Sequence, residues 1–389
     1  MAKKPTNFTF NNGGSQADFA DAFVYINLFS DAGLWIVGRN NIGQLGDNTV
    51  ASKSSPVQTV AGGTNWKLVA GGSYQTVAIK TDGTLWNWGN NANGQLGDNS
   101  VTVRSSPVQT VAGGTNWKLV TSGRFHTAAI KTDGTLWLWG RNGDGQLGAN
   151  NTTHRSSPVQ TVAGGTNWKL VAGGDFHTAA VKTDGTLWTW GINTNGQLGD
   201  NTVVHRSSPV QTVSGGTNWK LVAVGHYYTT SIKTDGTLWN WGNNGIGQLG
   251  DDSRTHRSSP VQTVSGGTNW KLVECGHYHT TAIKTDGTLW LWGGNAFGQL
   301  GDNSITYRSS PIQTVAGGTN WKQVAGGLRH TAAVKTDGTL WTWGLNNHGQ
   351  LGDNTVAAKS SPIQTVSGGT NWKLVTSGRY HTAALSSIT

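Results

Sequence analysis

The sequence has a single cysteine, no long apolar run and few charged residues, and each shortage excludes a class of protein. Because Cys275 has no second cysteine to pair with, intrachain disulfides cannot hold the fold, which fits a reducing compartment. The amino terminus lacks an apolar stretch of signal-peptide length, and no run approaches the ~20 residues that span a bilayer. We therefore expect cytosolic synthesis without a signal peptide and without a membrane span.

Hydrophobic residues are also scarce, at 35% of the chain, and charged residues make up only 12%. In an aperiodic chain this composition would indicate disorder. This chain is instead strictly periodic, and it contains 57 glycines and 20 tryptophans. Each buried tryptophan removes roughly 150–250 Å² from water, so a few rings per repeat can form a core.

A unit of 51 residues recurs seven times. The tetrapeptide Gly-Gln-Leu-Gly begins at position 43 and returns every 51 residues up to position 349. Ser-Ser-Pro and Asn-Trp-Lys recur with the same period, and seven of the eight prolines occupy one repeat position. Repeats of this size share their core with their neighbours, so the chain is an array of one unit.

Each unit is predicted to contain four short strands and no helix. In one unit these are residues 66–70, 76–80, 85–88 and 107–110, of which the last begins with proline and should be an edge strand. Asp82 and Gly83 are interpreted as a two-residue hairpin turn with positive φ at both positions. Both tryptophans of the third strand should lie on one face, because side chains alternate along a strand.

The arrangement predicts an all-β fold, a closed seven-bladed β-propeller with four antiparallel strands per blade. A solenoid would need distinct polar caps, yet the last repeat is as regular as the middle ones. The chain ends just after a second strand and begins the first repeat with a third strand, residues 33–37. Pairing of these terminal segments would close the ring and remove exposed sheet edges.

Two segments compete for the closing position. Residues 22–29 align with the same strand as residues 379–386, and we favour the C-terminal segment because Asn27 and Phe29 depart from the repeat. The domain organisation is then an N-terminal tail, residues 1–21, and a propeller, residues 22–389.

One motif carries a family resemblance. Residues 123–148 read Gly-x-x-His-Thr-Ala-Ala-Ile-Lys-Thr-Asp-Gly-Thr-Leu-Trp-x-Trp-Gly-x-Asn-x-x-Gly-Gln-Leu-Gly. This pattern, repeated over residues 22–389, resembles the regulator-of-chromosome-condensation (RCC1-like) repeat, in a near-identical form typical of bacterial or viral chains. The resemblance implies seven blades, with both termini in one blade.

The founding member of that family is a chromatin-bound exchange factor for a small GTPase, and other members are binding scaffolds. Exchange activity depends on residues that differ between blades. Because the units of this chain are nearly identical, the resemblance carries over the fold and not the exchange activity.

Variation between the repeats is concentrated in two loops, one before the second strand and one after the third. Topology places both loops at the same end of every blade, which we call the varied face, and the Asp-Gly turns at the other end, which we call the constant face. Aromatic and arginine side chains anchor many protein interfaces, whereas neutral drift in exposed turns is the alternative explanation. The candidate binding residues are Arg39, Tyr74, Arg124, Phe125, Arg141, Asp175, Phe176, His226, Tyr227, His277, Tyr278, Phe297, Arg329, His348, Arg379 and Tyr380.

No arrangement of residues indicates catalysis, a cofactor or a metal, so we expect a protein that is not an enzyme. The histidine repeated before the second strand is interrupted by Gln75 and Tyr228, and ligands from different blades would lie too far apart for one ion. We interpret these histidines as structural groups bonded to a neighbouring loop. Gly-Gln-Leu-Gly lacks the Lys-Ser/Thr that follows a phosphate loop, and Cys275 replaces glycine, serine or valine of other units.

Three functions remain open. The first is a non-catalytic scaffold that binds a protein or ligand through the varied face. The second is a structural or surface component such as a phage virion decoration or tail protein, in which residues 1–29, with Phe19, Phe23, Tyr25 and Phe29, anchor an oligomer or assembly. The third is a nucleic-acid or chromatin-type binder, which the formal charge of +9 permits but its distribution in rings does not favour.

Overall fold

The computed structural model describes residues 32–387, and every regular element in that range is a β-strand. The strands form seven four-stranded antiparallel sheets, one per blade, which confirms the predicted fold class. Residues 1–31, which include the tail and the competing segment 22–29, lie outside the described residues. Within residues 32–387, no helix is long and apolar enough to cross a bilayer.

The strands are named in chain order. The first half of the ring contains β1 (Ala32–Gly38), β2 (Lys53–Gln58), β3 (Trp66–Gly71), β4 (Gln75–Lys80), β5 (Leu85–Gly89), β6 (Arg104–Gln109), β7 (Trp117–Ser122), β8 (His126–Lys131), β9 (Leu136–Gly140), β10 (Arg155–Gln160), β11 (Trp168–Gly173), β12 (His177–Lys182), β13 (Leu187–Gly191) and β14 (Arg206–Gln211). The second half contains β15 (Trp219–Val224), β16 (Tyr228–Lys233), β17 (Leu238–Gly242), β18 (Arg257–Gln262), β19 (Trp270–Cys275), β20 (His279–Lys284), β21 (Leu289–Gly293), β22 (Arg308–Gln313), β23 (Trp321–Gly326), β24 (His330–Lys335), β25 (Leu340–Gly344), β26 (Lys359–Gln364), β27 (Trp372–Ser377) and β28 (His381–Ser387).

The ring closes through one sheet made from both ends of the described chain. Its strand order is β2-β1-β28-β27, whereas the other six sheets each contain four consecutive strands. Strand β28 pairs with β1 over its whole length, from Ala32 opposite Ser387 to Gly38 opposite His381. The C-terminal strand therefore takes the closing position, as predicted.

Each blade runs from an inner strand, which lines a central channel, to an outer edge strand. The proline of β6 lies in an edge strand, as expected for a residue that cannot donate a ladder hydrogen bond. This strand begins at Arg104, ahead of the predicted start at Pro107. Arg104 pairs with Gly89 beyond an irregularity in the register, which sequence periodicity does not reveal.

The core lies between blades and depends on tryptophan. In β3 and β5, Trp66 and Trp88 are fully buried and meet edge to face, with ring centroids 6.1 Å apart. Five further blades repeat this pair at 6.0–6.2 Å. Around the first pair pack Leu34 and Leu385 of the closing blade, so each core joins two neighbouring sheets.

The Gly-Gln-Leu-Gly loop ties each blade to the next. The carbonyl oxygen of Gln44 accepts hydrogen bonds from the Thr76 hydroxyl at 2.8 Å and from Trp88 Nε1 at 3.0 Å, both in the following blade. Leu45 beside it is fully buried. The side chain of Asn40 holds the loop, because its Oδ1 accepts from the Leu45 amide at 2.9 Å. The most regular motif of the sequence is thus the inter-blade connection.

The prediction of a two-residue Asp-Gly turn was wrong. Gly83 has a φ of +80°, but Asp82 is not among the residues with positive φ. Lys80 donates from its amide to the Thr84 carbonyl at 3.0 Å, so three residues form the loop. Such a loop is a type I turn followed by a left-handed glycine, and Asp82 Oδ1 stabilises it by accepting from the Thr84 amide at 2.9 Å.

Replacing Gly97 by alanine should destabilise the fold far more than replacing Gly113 by alanine. Gly97 has a φ of +67°, and an added Cβ would lie 2.7 Å from Trp139 Nε1, whereas Gly113 has a φ of +53° with no atom near. We expect Gly97→Ala to cost about 3 kcal/mol of unfolding free energy, from strain and overpacking together. Gly113→Ala should cost about 1 kcal/mol, from strain alone. Urea denaturation of both variants measures the difference, and equal losses would contradict this account of the core.

Candidate functional site: the varied face

Both variable loops emerge at the same end of every blade. The Asn90 amide, after β5, donates to the Tyr74 carbonyl, before β4, at 2.9 Å, and the other six blades have the equivalent bond. At the opposite end the Asp-Gly turn contacts the next blade, where the Trp117 amide donates to the Gly83 carbonyl at 3.1 Å. The molecule therefore has a varied face and a constant face, arranged as the topology predicted.

Aromatic and arginine side chains on the varied face contact one another from blade to blade. Tyr74 stacks on Phe125 with centroids 5.9 Å apart, and Phe176 stacks on Tyr227 at 5.6 Å. The Arg124 guanidinium joins these pairs, because it lies 4.8 Å from the Phe125 ring centre and 5.4 Å from that of Phe176. Stacked and cation–π contacts of this kind hold the rings in fixed orientations.

The same pattern continues into the closing blade. Arg39 lies 5.2 Å from the ring centre of Tyr380 and 5.9 Å from that of Tyr74. Arg379 lies 5.5 Å from each of the same two rings. His348 meets Tyr380 edge to face at 5.2 Å. Two arginines therefore share two tyrosines at the point where the ring closes.

Two further arginines bridge aromatic rings. Arg141 lies between Phe125 and Phe176, and Arg329 lies 5.0 Å from Phe297 and 5.7 Å from Tyr278. Each of the candidate binding residues named from the sequence contacts at least one other member of the set.

Asp175 closes the mouth of the channel rather than projecting from the face. It is 4% exposed, and it accepts from His226 Nδ1 and from His277 Nε2, the latter at 3.1 Å. Arg124 approaches the same carboxylate at 3.6 Å. Burial acts to raise the pKa of Asp175, but the two histidines outweigh it and hold this pKa well below its ordinary range. Asp175 therefore organises its neighbours instead of meeting a partner directly.

Sequence reasoning missed the partners of this cluster. Ser73 is buried, and its hydroxyl lies 3.4 Å from His277 Nε2 of a blade far along the chain. Ser73, Asp175 and His277 occupy the same repeat position, the first of the loop before the second strand, and all three line the channel. That shared position was the signal that could have indicated contacts across the axis.

The channel itself has a volume of about 260 Å³ and is lined by the inner strands. Glu274 lies in its wall, exposed to the channel, at a position where the other six inner strands have alanine or threonine. Sequence reasoning did not single out this carboxylate, although comparison of the repeats shows it to be unique.

The buried histidines connect blades, as predicted, but their partners are strand residues. His126 Nε2 lies 3.0 Å from the Thr178 hydroxyl in the second strand of the next blade. Equivalent contacts of 2.9–3.1 Å are made by His177, His279, His330 and His381. At the remaining two seams, Gln75 donates to Ser122 Oγ at 2.8 Å and Tyr228 donates to the His279 carbonyl at 2.6 Å. In the described range, no group of three His, Cys, Asp or Glu side chains is placed to hold a metal ion.

Burial keeps these histidines neutral. It lowers the pKa of His126 and His381 to about 4, and the pKa of His177, His279 and His330 to about 3. Neutral imidazole suits a seam where one ring nitrogen faces a hydroxyl group, and burial outweighs the opposing effect of the Asp175 carboxylate on the pKa of His126 and His177.

Much of the positive charge is compensated within the blades. In six blades the basic residue before Ser-Ser-Pro pairs with an aspartate of its own blade, as Arg206 does with Asp200 at 2.9 Å. Arg104, Arg257, Arg308, Lys53 and Lys359 make equivalent pairs at 2.8–3.8 Å. Lys80, before the Asp-Gly turn, lies between two tryptophans, 4.9 Å from Trp66 and 4.8 Å from Trp86. Because these basic side chains already contact aspartate or tryptophan within the protein, they are less available to phosphate groups, which weakens the nucleic-acid hypothesis.

Comparison with known proteins places this geometry in context. The profile of the RCC1-like domain matches residues 114–388, and that of the regulator of chromosome condensation (RCC1) repeat matches residues 31–79 and 82–130. The ultraviolet-B receptor UVR8 of Arabidopsis thaliana is 34% identical over 307 residues, which cover 76% of this chain and 69% of UVR8. The E3 ubiquitin-protein ligase HERC2 of Homo sapiens is 29% identical over 410 residues, or 99% of this chain but only 8% of HERC2.

Among solved structures, Prp20p of Saccharomyces cerevisiae has the same fold. Its TM-score is 0.81 at 19% sequence identity, and the match covers 94% of each chain.

Proposed function

The chain belongs to the RCC1-like repeat propellers, and from this we propose that it is a non-catalytic scaffold that binds a protein partner through its varied face. One observation carries the proposal. The side chains that differ between repeats contact one another across blade boundaries on a single face, whereas the invariant side chains build the scaffold. Neutral drift in exposed turns gives no reason for such contacts between residues of different blades.

The scaffold is rigid at the positions that present this face. The loop before β4 and the loop after β5 are tied by a backbone hydrogen bond from Asn90 to Tyr74. Rings held in place by neighbouring rings lose little conformational freedom when a partner binds. Tyrosine, phenylalanine and arginine in such an arrangement are typical anchors of protein interfaces.

The relatives are compatible with binding as the common role. UVR8 is named a receptor, and Prp20p is described with its binding to Gsp1p and histones. The ligase named for HERC2 is not carried over, because this chain matches only 8% of that protein.

The other expectations stay predictions. No relative supports the virion hypothesis, and its anchor, residues 1–29, lies outside the described residues. Cytosolic synthesis and the bacterial or viral origin suggested by near-identical repeats are likewise proposals. A nucleic-acid function would require affinity that falls steeply with salt, and a flat response would exclude it.

Replacing three aromatic anchors should abolish partner binding without unfolding the protein. The variant is Phe125→Ala, Phe176→Ala, Tyr227→Ala, and the control replaces exposed valines that follow the outer strands at the constant face, Val111→Ser, Val213→Ser and Val264→Ser. Because the anchors lie outside the tryptophan core, the thermal transition should persist. Affinity capture from the native source, with quantitative mass spectrometry, should identify proteins that the control retains and the face variant loses. Identical sets of captured proteins in both would overturn the proposal.

A further inference from the structure

The varied face is electrostatically divided. On one side Arg124 pairs with Asp175 at 3.6 Å and Arg141 pairs with Asp144 at 3.2 Å. On the other side lie Arg39, Arg329 and Arg379, none of which has a carboxylate at ion-pair distance among residues 32–387. The three uncompensated arginines belong to adjoining loops, since the Leu328 amide donates to the Arg379 carbonyl at 3.3 Å. Positive charge is therefore concentrated on one arc of the face.

Arg379 is the most unusual group of this arc. Its Nε and Nη1 atoms are buried without a hydrogen-bond partner in the described part of the chain. Guanidinium nitrogens in this state are costly, because a charged donor removed from water loses its hydration. The planar group is held between Tyr74 and Tyr380, 5.5 Å from each ring centre. A charged donor so placed and left without an acceptor indicates a ligand that supplies one.

Arg39 completes the arrangement from the other variable loop. Its Nε donates to Asn41 Oδ1 at 2.7 Å, and its terminal nitrogens have no acceptor among the described residues. The hydroxyl groups of Tyr74 and Tyr380 likewise have no partner there. Two guanidinium groups thus contact the same two tyrosine rings, with their side chains already oriented by mutual contact. Carboxylates are bound strongly by such forked, charge-assisted donors.

We propose that Arg39 and Arg379, with Tyr74 and Tyr380, form a subsite for an acidic side chain of the protein partner. This inference rests on the proposed function and specifies the chemistry of the partner. The stacked pairs Tyr74–Phe125 and Phe176–Tyr227 continue from the subsite, so the acidic group should be followed by apolar residues.

A protein fits this arc better than a nucleic acid does. Single-stranded nucleic acids need a basic groove with free aromatic faces for base stacking. Here the aromatic rings stack on one another or on arginine, and the rim arginines such as Arg206 are already paired with aspartate. Three uncompensated charges on one arc match a few carboxylates rather than a run of phosphates.

His348 provides an independent report on the subsite. It touches Tyr380, and burial together with the Arg39 charge lowers its pKa. A carboxylate bound between Arg39 and Arg379 would offset the arginine charge. The pKa of His348 should then rise on binding, which a purely structural cluster would not produce.

The test measures binding of a fluorescent polyglutamate peptide by anisotropy at low ionic strength, with polylysine and single-stranded DNA of matched charge for comparison. The full-length protein should bind polyglutamate. Arg39→Gln with Arg379→Gln should weaken this binding by about tenfold or more, because two charge-assisted contacts are lost. Arg39→Lys with Arg379→Lys keeps the charge but not the forked geometry of the guanidinium. Its polyglutamate affinity should lie between those of the unsubstituted protein and the glutamine variant.

A matched control removes the same charge from the constant face. Lys118 and Lys169 are exposed at the start of inner strands, so Lys118→Gln with Lys169→Gln should leave polyglutamate affinity unchanged. The second measurement is the pKa of His348 from a nuclear magnetic resonance titration with and without peptide. If the double variant unfolds, Arg39→Gln alone replaces it in the binding measurement.

The inference is overturned if polyglutamate does not bind, or if the control pair loses as much polyglutamate affinity as the arginine pair. It is also overturned if DNA binds more tightly than polyglutamate and replacing the same two arginines removes that DNA binding. If polyglutamate does not bind but the Phe125, Phe176 and Tyr227 substitutions still remove a native partner, the proposed function is retained and only the acidic subsite is wrong.

Discussion

Lowering the pH from 7 to 5 should sharply destabilise the fold, because five buried histidines stay neutral in it. Their pKa values are about 3 to 4 in the folded protein, against 6.5 for an exposed imidazole. Below pH 6.5 the unfolded chain therefore binds protons that the folded chain does not, and stability falls as the pH falls towards about 4. At pH 5 each histidine costs about 2 kcal/mol, so the five together cost up to about 10 kcal/mol. That loss is comparable to the whole stability of a typical domain, about 5–15 kcal/mol.

Urea denaturation followed by tryptophan fluorescence, repeated at several pH values, measures this slope. The chain supplies the test variant, because Gln75 occupies the same repeat position and still bonds across the seam. Replacing the five histidines by glutamine should preserve folding at pH 7 and flatten the decline between pH 7 and 5. His205→Gln is the control, because that side chain is exposed and should leave the slope unchanged. An unaltered slope in the fivefold variant would show that the seam histidines do not set the acid sensitivity.

Removing the last strand should abolish the fold altogether. Strand β28 lies between β1 and β27, so deletion of residues 381–389 leaves two unpaired edges within one blade. It removes two rows of ladder hydrogen bonds, each bond worth about 1 kcal/mol, together with the fully buried Leu385. It also removes the seam between His381 and Thr76, at 3.0 Å. In a closed ring this loss opens the interface to both neighbouring blades.

Circular dichroism and analytical size exclusion measure the outcome. Deletion of residues 388–389 alone is the control and should leave the thermal transition unchanged. A synthetic peptide spanning residues 379–389 should restore the transition when added to the truncated chain, because it supplies the missing strand. A truncated chain that melts cooperatively near the full-length temperature would instead indicate additive, solenoid-like stability.

Much of the fold could be predicted because the repeat makes every local signal appear several times. The strand pattern and the tryptophan positions follow from the period, and the closing strand follows from the phase at which the chain ends. The turn at Asp82 could not be settled in this way, because Asp-Gly fits both a two-residue turn and a type I turn followed by a left-handed glycine. The φ of Asp82 and the position of the hydrogen bond from Lys80 to Thr84 separate them.

The candidate site could be located but not resolved. Repeat comparison predicted that both variable loops lie on one face, and the structure confirms that placement. It could not show that Asp175 is buried between His226 and His277, because those contacts depend on how side chains of different blades meet around the axis. Ser73 was missed for the same reason. The ion pair of Arg104 with Asp98, by contrast, joins residues close in sequence and could have been expected.

The position of the ends of the described chain has a practical consequence. Ala32 and Ser387 lie opposite each other where β1 and β28 meet, at the same end of the blade as Asn371, whose carbonyl accepts from the Ser387 amide at 3.1 Å. That end belongs to the constant face. A fusion partner, a surface tether or a multimerising module joined next to Ala32 or Ser387 would therefore hold the propeller with its varied loops directed outwards. Immobilised molecules should present them uniformly, so orientation-controlled display requires no change to the loops.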